Sequence, residues 1–307
     1  MRHRTENLIL STASFLDESH DYFDPAVLKI YRAVPEISDQ EEAASGQENG
    51  QMPDGLTVSW TMLGGVRTAR IDCEGAPKDT LLFHIHGGGW CGGVPCTALQ
   101  GMLLLQRRLG LNLMSVEYGL APEHPYPEGI QDCIHAYQAL LDSGFHSDRI
   151  VLIGESAGGY YCLALTQYLR DKGIALPAGL CLVSPGAEMF GPNELKQALI
   201  REPNNAVLQQ SFAFSTMYTN GHGLDEPYMS PNRGSYRGFP PMLIQTGGID
   251  FCRDMSLRCA NQAAAEGVDV KLHSWEFMPH VFFLLHDIPE AEEGRNELAE
   301  FIESVLK

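Results

Sequence analysis

The 307-residue sequence predicts an α/β fold built on a mostly parallel, eight-stranded sheet flanked by helices. Three observations point there. From about residue 56, short apolar runs alternate with segments of helical periodicity, the mark of successive βαβ units. The composition, 44% hydrophobic and 20% charged with 31 Gly and 18 Pro, suits a soluble globular chain and excludes collagen-like, coiled-coil and wholly disordered classes. Two glycine-rich segments, at 86–89 and 154–159, each directly follow an apolar run, as strand-to-helix turns do.

Taken in order, Asp24-Pro25 followed by Val27, Leu28, Ile30 and Tyr31 predicts a short N-terminal helix with proline in its first turn. Residues 36–55 hold six acidic and no basic residues and too little apolar surface to pack, so they read as an acidic loop. Residues 1–55 are therefore set apart as an N-terminal segment from the α/β domain of residues 56–307. Strands are expected at 56–62, 66–72, 81–86, 112–118, 149–154, 179–184, 242–247 and 269–275. Ile130, Cys133, Ile134, Tyr137, Leu140 and Leu141 recur at steps of three and four, giving a helix that Gly144 ends. Further helices are expected at 157–171, at 254–266 and over Leu298, Phe301, Ile302 and Val305. Between about 187 and 225 the alternation breaks. Pro192-Asn193-Glu194 starts one helix there, and Asn204 to Thr219 forms an aromatic-rich second, which together read as a cap insertion over a pocket.

Charge narrows the function. With 21 Lys+Arg against 39 Asp+Glu, the net charge of −18 repels polyphosphate and anionic lipid, so no nucleic-acid partner is expected. No apolar run nears the roughly 18 residues of a membrane span, and Leu8-Ile9-Leu10 is too short for a signal-peptide core; a cytoplasmic protein is expected. The eight cysteines include no C-x-x-C pair, and most read as reduced core residues; Cys91 reads as core or pocket lining. His84 and His86 alternate on one strand without a third ligand at recognisable spacing, so no metal is expected.

Gly154-Glu155-Ser156-Ala157-Gly158 is a G-x-S-x-G between a predicted strand and a predicted helix, the context in which a sharp turn lifts a serine Oγ above a sheet. His86-Gly87-Gly88-Gly89 follows another strand, and its consecutive glycines expose N–H groups able to bind an oxyanion. A serine nucleophile needs a base, and the base an orienting carboxylate. Downstream, Asp250 ends the run from Met242 and His280 follows the last strand; Asp254 competes for the acid, His273 and His286 for the base.

His86 to Trp90, the run Tyr118 to Pro127, Gly154 to Gly159 and Pro279-His280-Val281-Phe282 together resemble the motif set of the hormone-sensitive-lipase-like esterases of the α/β-hydrolase superfamily, in order across about residues 56–307. The resemblance implies Ser156 as nucleophile, His280 as base, Asp250 as acid, and an oxyanion hole from the N–H groups of Gly88, Gly89 and Ala157. It also implies a cap formed by the N-terminal segment with the 187–225 insertion. Trp90, Glu155 and Phe212 are the expected pocket residues. Two departures stand out: Gly119 occupies a position where the family usually has Arg, which would pair with Glu123, and Glu155 stands where Asp is common.

The expected activity is cofactor-independent hydrolysis of small-molecule esters with short- to medium-chain acyl groups, by a protein that a homodimer would also suit. Amide or formamide hydrolysis is the alternative within the superfamily, and a non-catalytic small-molecule receptor of the same fold the alternative outside enzymes.

Overall fold

The computed structural model describes residues 55–93, 95, 99–189, 206–285 and 288–307, with the side chains of 99, 100, 206–209 and 212 also outside the description. The expected N-terminal helix, the acidic loop up to residue 54, the helix start at Pro192 and His286 all lie outside the described residues.

Eight strands form one sheet: β1 (Leu56–Leu63), β2 (Val66–Cys73), β3 (Leu81–Ile85), β4 (Asn112–Val116), β5 (Ile150–Glu155), β6 (Gly179–Val183), β7 (Met242–Gly247) and β8 (Val270–Trp275). Their spatial order is β1-β2-β4-β3-β5-β6-β7-β8. β2 runs antiparallel to both neighbours and every other pairing is parallel. β3 through β7 are buried along their whole length, which is why they read as unbroken apolar runs; β1, at the edge, is mostly exposed.

Six helices are described: α1 (Leu99–Leu109), α2 (Glu128–Asp142), α3 (Ala157–Asp171), α4 (Ala206–Thr219), α5 (Arg253–Ala265) and α6 (Pro289–Val305). Because side chains alternate across a strand, the sheet divides two cores. Phe83, Leu152, Leu182 and Ile244 pack with α2, α3 and α5, whereas Leu82, Val151, Val183 and Leu243 pack with α1 and α6.

The sequence reading holds no helix at 99–109. Gly101 interrupts the pattern there and three consecutive leucines blur its period. Gly101 is small for a packing reason, since a Cβ on it would lie 2.6 Å from Leu284 Cδ2. Seven described cysteines are free and six of them are buried, as small core residues. Among the described residues no helix is long and apolar enough to cross a membrane.

Candidate active site

The turns leaving β3, β5, β6, β7 and β8 gather at the carboxyl edge of the sheet, where open α/β sheets place their ligands. β5 ends at Glu155 and α3 begins at Ala157, which forces Ser156 to φ 53°, ψ −118°. A non-glycine residue held there stores strain, and the surroundings fix it: its N–H donates to Val183 O at 2.9 Å and its carbonyl accepts from Tyr160 N–H and Gly186 N–H. Gly158 is demanded by close approach, because a Cβ on it would lie 1.8 Å from Ile85 O.

From the turns after β7 and β8 come the partners. His280 Nε2 lies 2.9 Å from Ser156 Oγ and His280 Nδ1 lies 2.8 Å from Asp250 Oδ1. Asp250 Oδ1 also accepts the Cys252 N–H at 2.7 Å, and Oδ2 accepts the Thr246 hydroxyl at 3.2 Å. Burial works to raise the Asp250 pKa, but the charge of a protonated His280 and the hydrogen bonds of His280, Ser184 and the Cys252 N–H outweigh it and hold the pKa at about 2. The carboxylate is therefore ionised at neutral pH. With Asp250 accepting at Nδ1, a neutral imidazole carries its proton there and turns a bare Nε2 to the serine hydroxyl.

The alternatives stand elsewhere. Asp254 is exposed on the first turn of α5 beside Arg253. His273 is tied to Glu297 at 3.0 Å and stacked on Trp275.

Ser184 is a residue of the site that the sequence reading missed. Its hydroxyl accepts the Val281 N–H at 3.1 Å and also helps lower the Asp250 pKa, so it ties the histidine turn to the acid turn. A non-glycine residue with φ 51° immediately after a strand, it has a signature in the backbone and none in the sequence.

The glycine loop is braced from below. Gly87 N–H donates to Glu155 Oε1 at 2.6 Å, while Glu155 Oε2 faces His84 Nε2 at 3.0 Å and His84 Nδ1 meets Ser115 Oγ at 2.7 Å. Glu155, expected to line a pocket, is thus buried beneath the loop with both oxygens engaged. Burial lowers the His86 pKa to about 4; the neutral ring stacks on Tyr118 at 4.2 Å and donates from Nδ1 to Gly87 O. Past this brace, the N–H groups of Gly88, Gly89 and Ala157 donate to no acceptor among the described residues. Phe214 of α4 closes over the loop, since a Cβ on Gly89 would lie 2.6 Å from Phe214 Cδ2.

Trp90 follows with φ 63°, its ring stacked on Tyr218 at 5.3 Å and edge-on to Tyr160 at 5.4 Å. Its outer edge reaches Gly186, where a Cβ would meet both Trp90 at 3.7 Å and Ser156 O at 3.6 Å. The side chain of Phe212 lies outside the described residues. The missing arginine at Gly119 leaves no gap: the Gly119 N–H donates to Asp132 Oδ2 at 2.8 Å, and a Cβ there would stand 2.7 Å from His124 Cβ.

Among the described residues, Asp250, Cys252 and His280 form the one group of three His, Cys or acidic side chains close enough to share a metal ion. Its members are otherwise engaged. Asp250 and His280 bond each other, and burial pushes the Cys252 thiol well above its ordinary pKa, away from the thiolate a metal needs.

Comparison with known proteins agrees with this architecture. The family described as alpha/beta hydrolase fold matches residues 82–284. An esterase of Acinetobacter venetianus is 32% identical over 249 residues, covering 79% of this chain and 80% of that protein. An acetyl-hydrolase of Streptomyces hygroscopicus is 29% identical over 85% of this chain and 84% of its own. Among solved structures, a hormone-sensitive lipase from a metagenome library aligns with TM-score 0.77 at 29% identity, over 94% of this chain and 99% of that one. The esterase EstE5, in crystals soaked with p-nitrophenyl butyrate, aligns with TM-score 0.80 at 27% identity, over 97% and 98%. The chain belongs to the hormone-sensitive-lipase-like esterases of the α/β-hydrolase superfamily and is a carboxylic ester hydrolase.

Proposed function

We propose that the chain hydrolyses short- to medium-chain acyl esters through an acyl-enzyme on Ser156. The observation that carries this reading is the continuous line of hydrogen bonds from Ser156 Oγ through both nitrogens of His280 to Asp250, at 2.9 and 2.8 Å. In the first step Ser156 Oγ attacks the ester carbonyl and its proton passes to His280 Nε2. Asp250, ionised and inaccessible to solvent, holds the tautomer and stabilises the imidazolium. The carbonyl oxygen, now negative, takes hydrogen bonds from the N–H groups of Gly88, Gly89 and Ala157, each worth about 3 kcal/mol of barrier. Collapse breaks the C–O bond to the alcohol, which leaves with the proton from His280. Water then enters and gives a proton to the same nitrogen as its oxygen bonds the acyl carbon; collapse breaks the bond to Ser156 Oγ, which takes that proton back from His280 as the acid leaves.

Trp90 is assigned to the acyl side of the cleft. The packed rings of Trp90, Tyr160 and Tyr218, with Phe214 over the glycine loop, favour a short acyl group. A panel of p-nitrophenyl esters from acetate to palmitate tests both statements. Turnover is expected to peak at or below medium chain length, and Ser156→Ala to lower kcat by up to about a millionfold. Retention of most activity by that variant, or a preference for palmitate, would refute the corresponding statement.

A further inference from the structure

Six large apolar side chains are exposed among the described residues. Three of them, Val58, Trp60 and Met62, belong to the edge strand β1. The other three, Ile249, Phe251 and Phe277, stand on the two turns that carry Asp250 and His280, and are 62%, 51% and 71% exposed. Those turns are pinned together: Ile249 N–H donates to Met278 O at 3.2 Å, and a Cβ on Gly248 would lie 3.1 Å from Phe277 N. Phe251 goes further. Its ring lies against the His280 imidazole, with centroids 4.2 Å apart and planes tilted by 36°. Solvated apolar surface of this size beside reacting atoms carries a cost that a ligand would relieve.

We propose that Phe251, flanked by Ile249 and Phe277, forms the alcohol-side wall of the cleft and selects esters of apolar, ring-bearing alcohols. This rests on the acyl-enzyme reading above. His280 Nε2 must hand its proton to the departing alcohol oxygen, so the first carbons of the alcohol pass within a few ångströms of the imidazole whatever the acyl group. The Phe251 ring covers that imidazole with one face and is half-exposed, so a flat ring on the alcohol side can stack on what it leaves to solvent. The acyl side, by contrast, is walled by Trp90 and Phe214 beyond the glycine loop. The two halves of an ester are then read by different residues, and the alcohol preference varies independently of acyl length.

The test uses phenyl acetate and ethyl acetate, which give the same acetyl-enzyme, so that kcat/KM compares only the steps through acylation. Intrinsic leaving-group reactivity cancels when variant and parent are compared. In Phe251→Ala, the ratio of kcat/KM for phenyl acetate to that for ethyl acetate is expected to fall about tenfold, the effect of leaving roughly 55 Å² of apolar surface in water. Phe251→Leu should recover most of the ratio, and Phe277→Ala should lower it about threefold. Parallel loss on both esters would mean that Phe251 only steadies the imidazole, and overturns the proposal. So would a change in sedimentation coefficient in Phe277→Ala, which would make the patch a contact with a second copy. Loss of binding to phosphatidylcholine vesicles in that variant would make it a lipid-facing surface instead, and overturns it equally. Should the parent protein hydrolyse neither acetate, the acyl-enzyme reading itself fails, and this one with it.

Discussion

Replacing Glu155 probes how the glycine loop is held. In Glu155→Ala two buried donors lose their acceptor at once, the Gly87 N–H at 2.6 Å and the His84 Nε2 proton at 3.0 Å. Each buried unsatisfied group costs roughly 1–3 kcal/mol, so the variant should be destabilised by about 4 kcal/mol, a large part of a typical domain's stability. Glu155→Gln differs because the network can be rewired. Its amide oxygen can accept from Gly87 and its amide nitrogen donate to His84 Nε2. His84 then carries its proton on Nδ1 and donates to Ser115 Oγ at 2.7 Å, whose hydroxyl turns to Pro95 O at 3.3 Å. The Gly87 N–H and the His84 ring proton both keep an acceptor; the charge assistance of two bonds is lost and the second amide N–H of the glutamine goes unpaired, about 3 kcal/mol in all. Urea unfolding midpoints rank the two variants, and kcat on p-nitrophenyl acetate reports whether the loop still presents its amides, with Gln expected to retain far more activity than Ala. Wild-type stability in Glu155→Ala, or a Gln variant less stable than the Ala one, would refute the argument.

Three further outcomes are expected. Asp250→Asn should lower kcat about ten-thousandfold with the protein folded, because the amide favours the wrong imidazole tautomer; near-normal kcat would exclude Asp250 as the orienting acid. The lowered pKa of Asp250, about 2 against 3.8, means that it contributes stability in full above about pH 4 and loses it as pH falls through 2. The stability gap between the parent and Asp250→Asn should therefore narrow by about 1 kcal/mol at pH 3 and roughly 2 kcal/mol at pH 2, measured by urea unfolding at each pH; a constant gap contradicts the assignment. Gly158→Ala should fail to accumulate as folded protein, since its Cβ would strike the backbone oxygen of Ile85; a soluble, active variant would show that β3 can move away from α3.

Much of this was legible in the sequence because strand burial and turn chemistry write themselves locally. The central strands are buried on both faces and so appear as apolar runs, and the turn at Ser156 appears as a serine between residues small enough for its approach to β3. What stayed hidden depends on pairs distant in the chain. Glu155 braces Gly87 across 68 positions and His84 across 71, and nothing near Glu155 distinguishes that use from lining a pocket. Ser184 meets Val281 across 97 positions from a strand end that carries no motif. The helix at 99–109 was obscured by Gly101, whose smallness serves a contact with Leu284 that the sequence does not display.

The stacking of Trp90 on Tyr218 ties an indole to helix α4, between β6 and β7, on one side and to the glycine loop on the other. The chain holds only three tryptophans; Trp60 lies under the guanidinium of Arg67 and Trp275 beside His273 at the far edge of the sheet. The emission of Trp90 accordingly works as a built-in optical gauge: a displacement of α4 while a substrate enters or a product departs alters the surroundings of that indole, and would be followed in unlabelled protein.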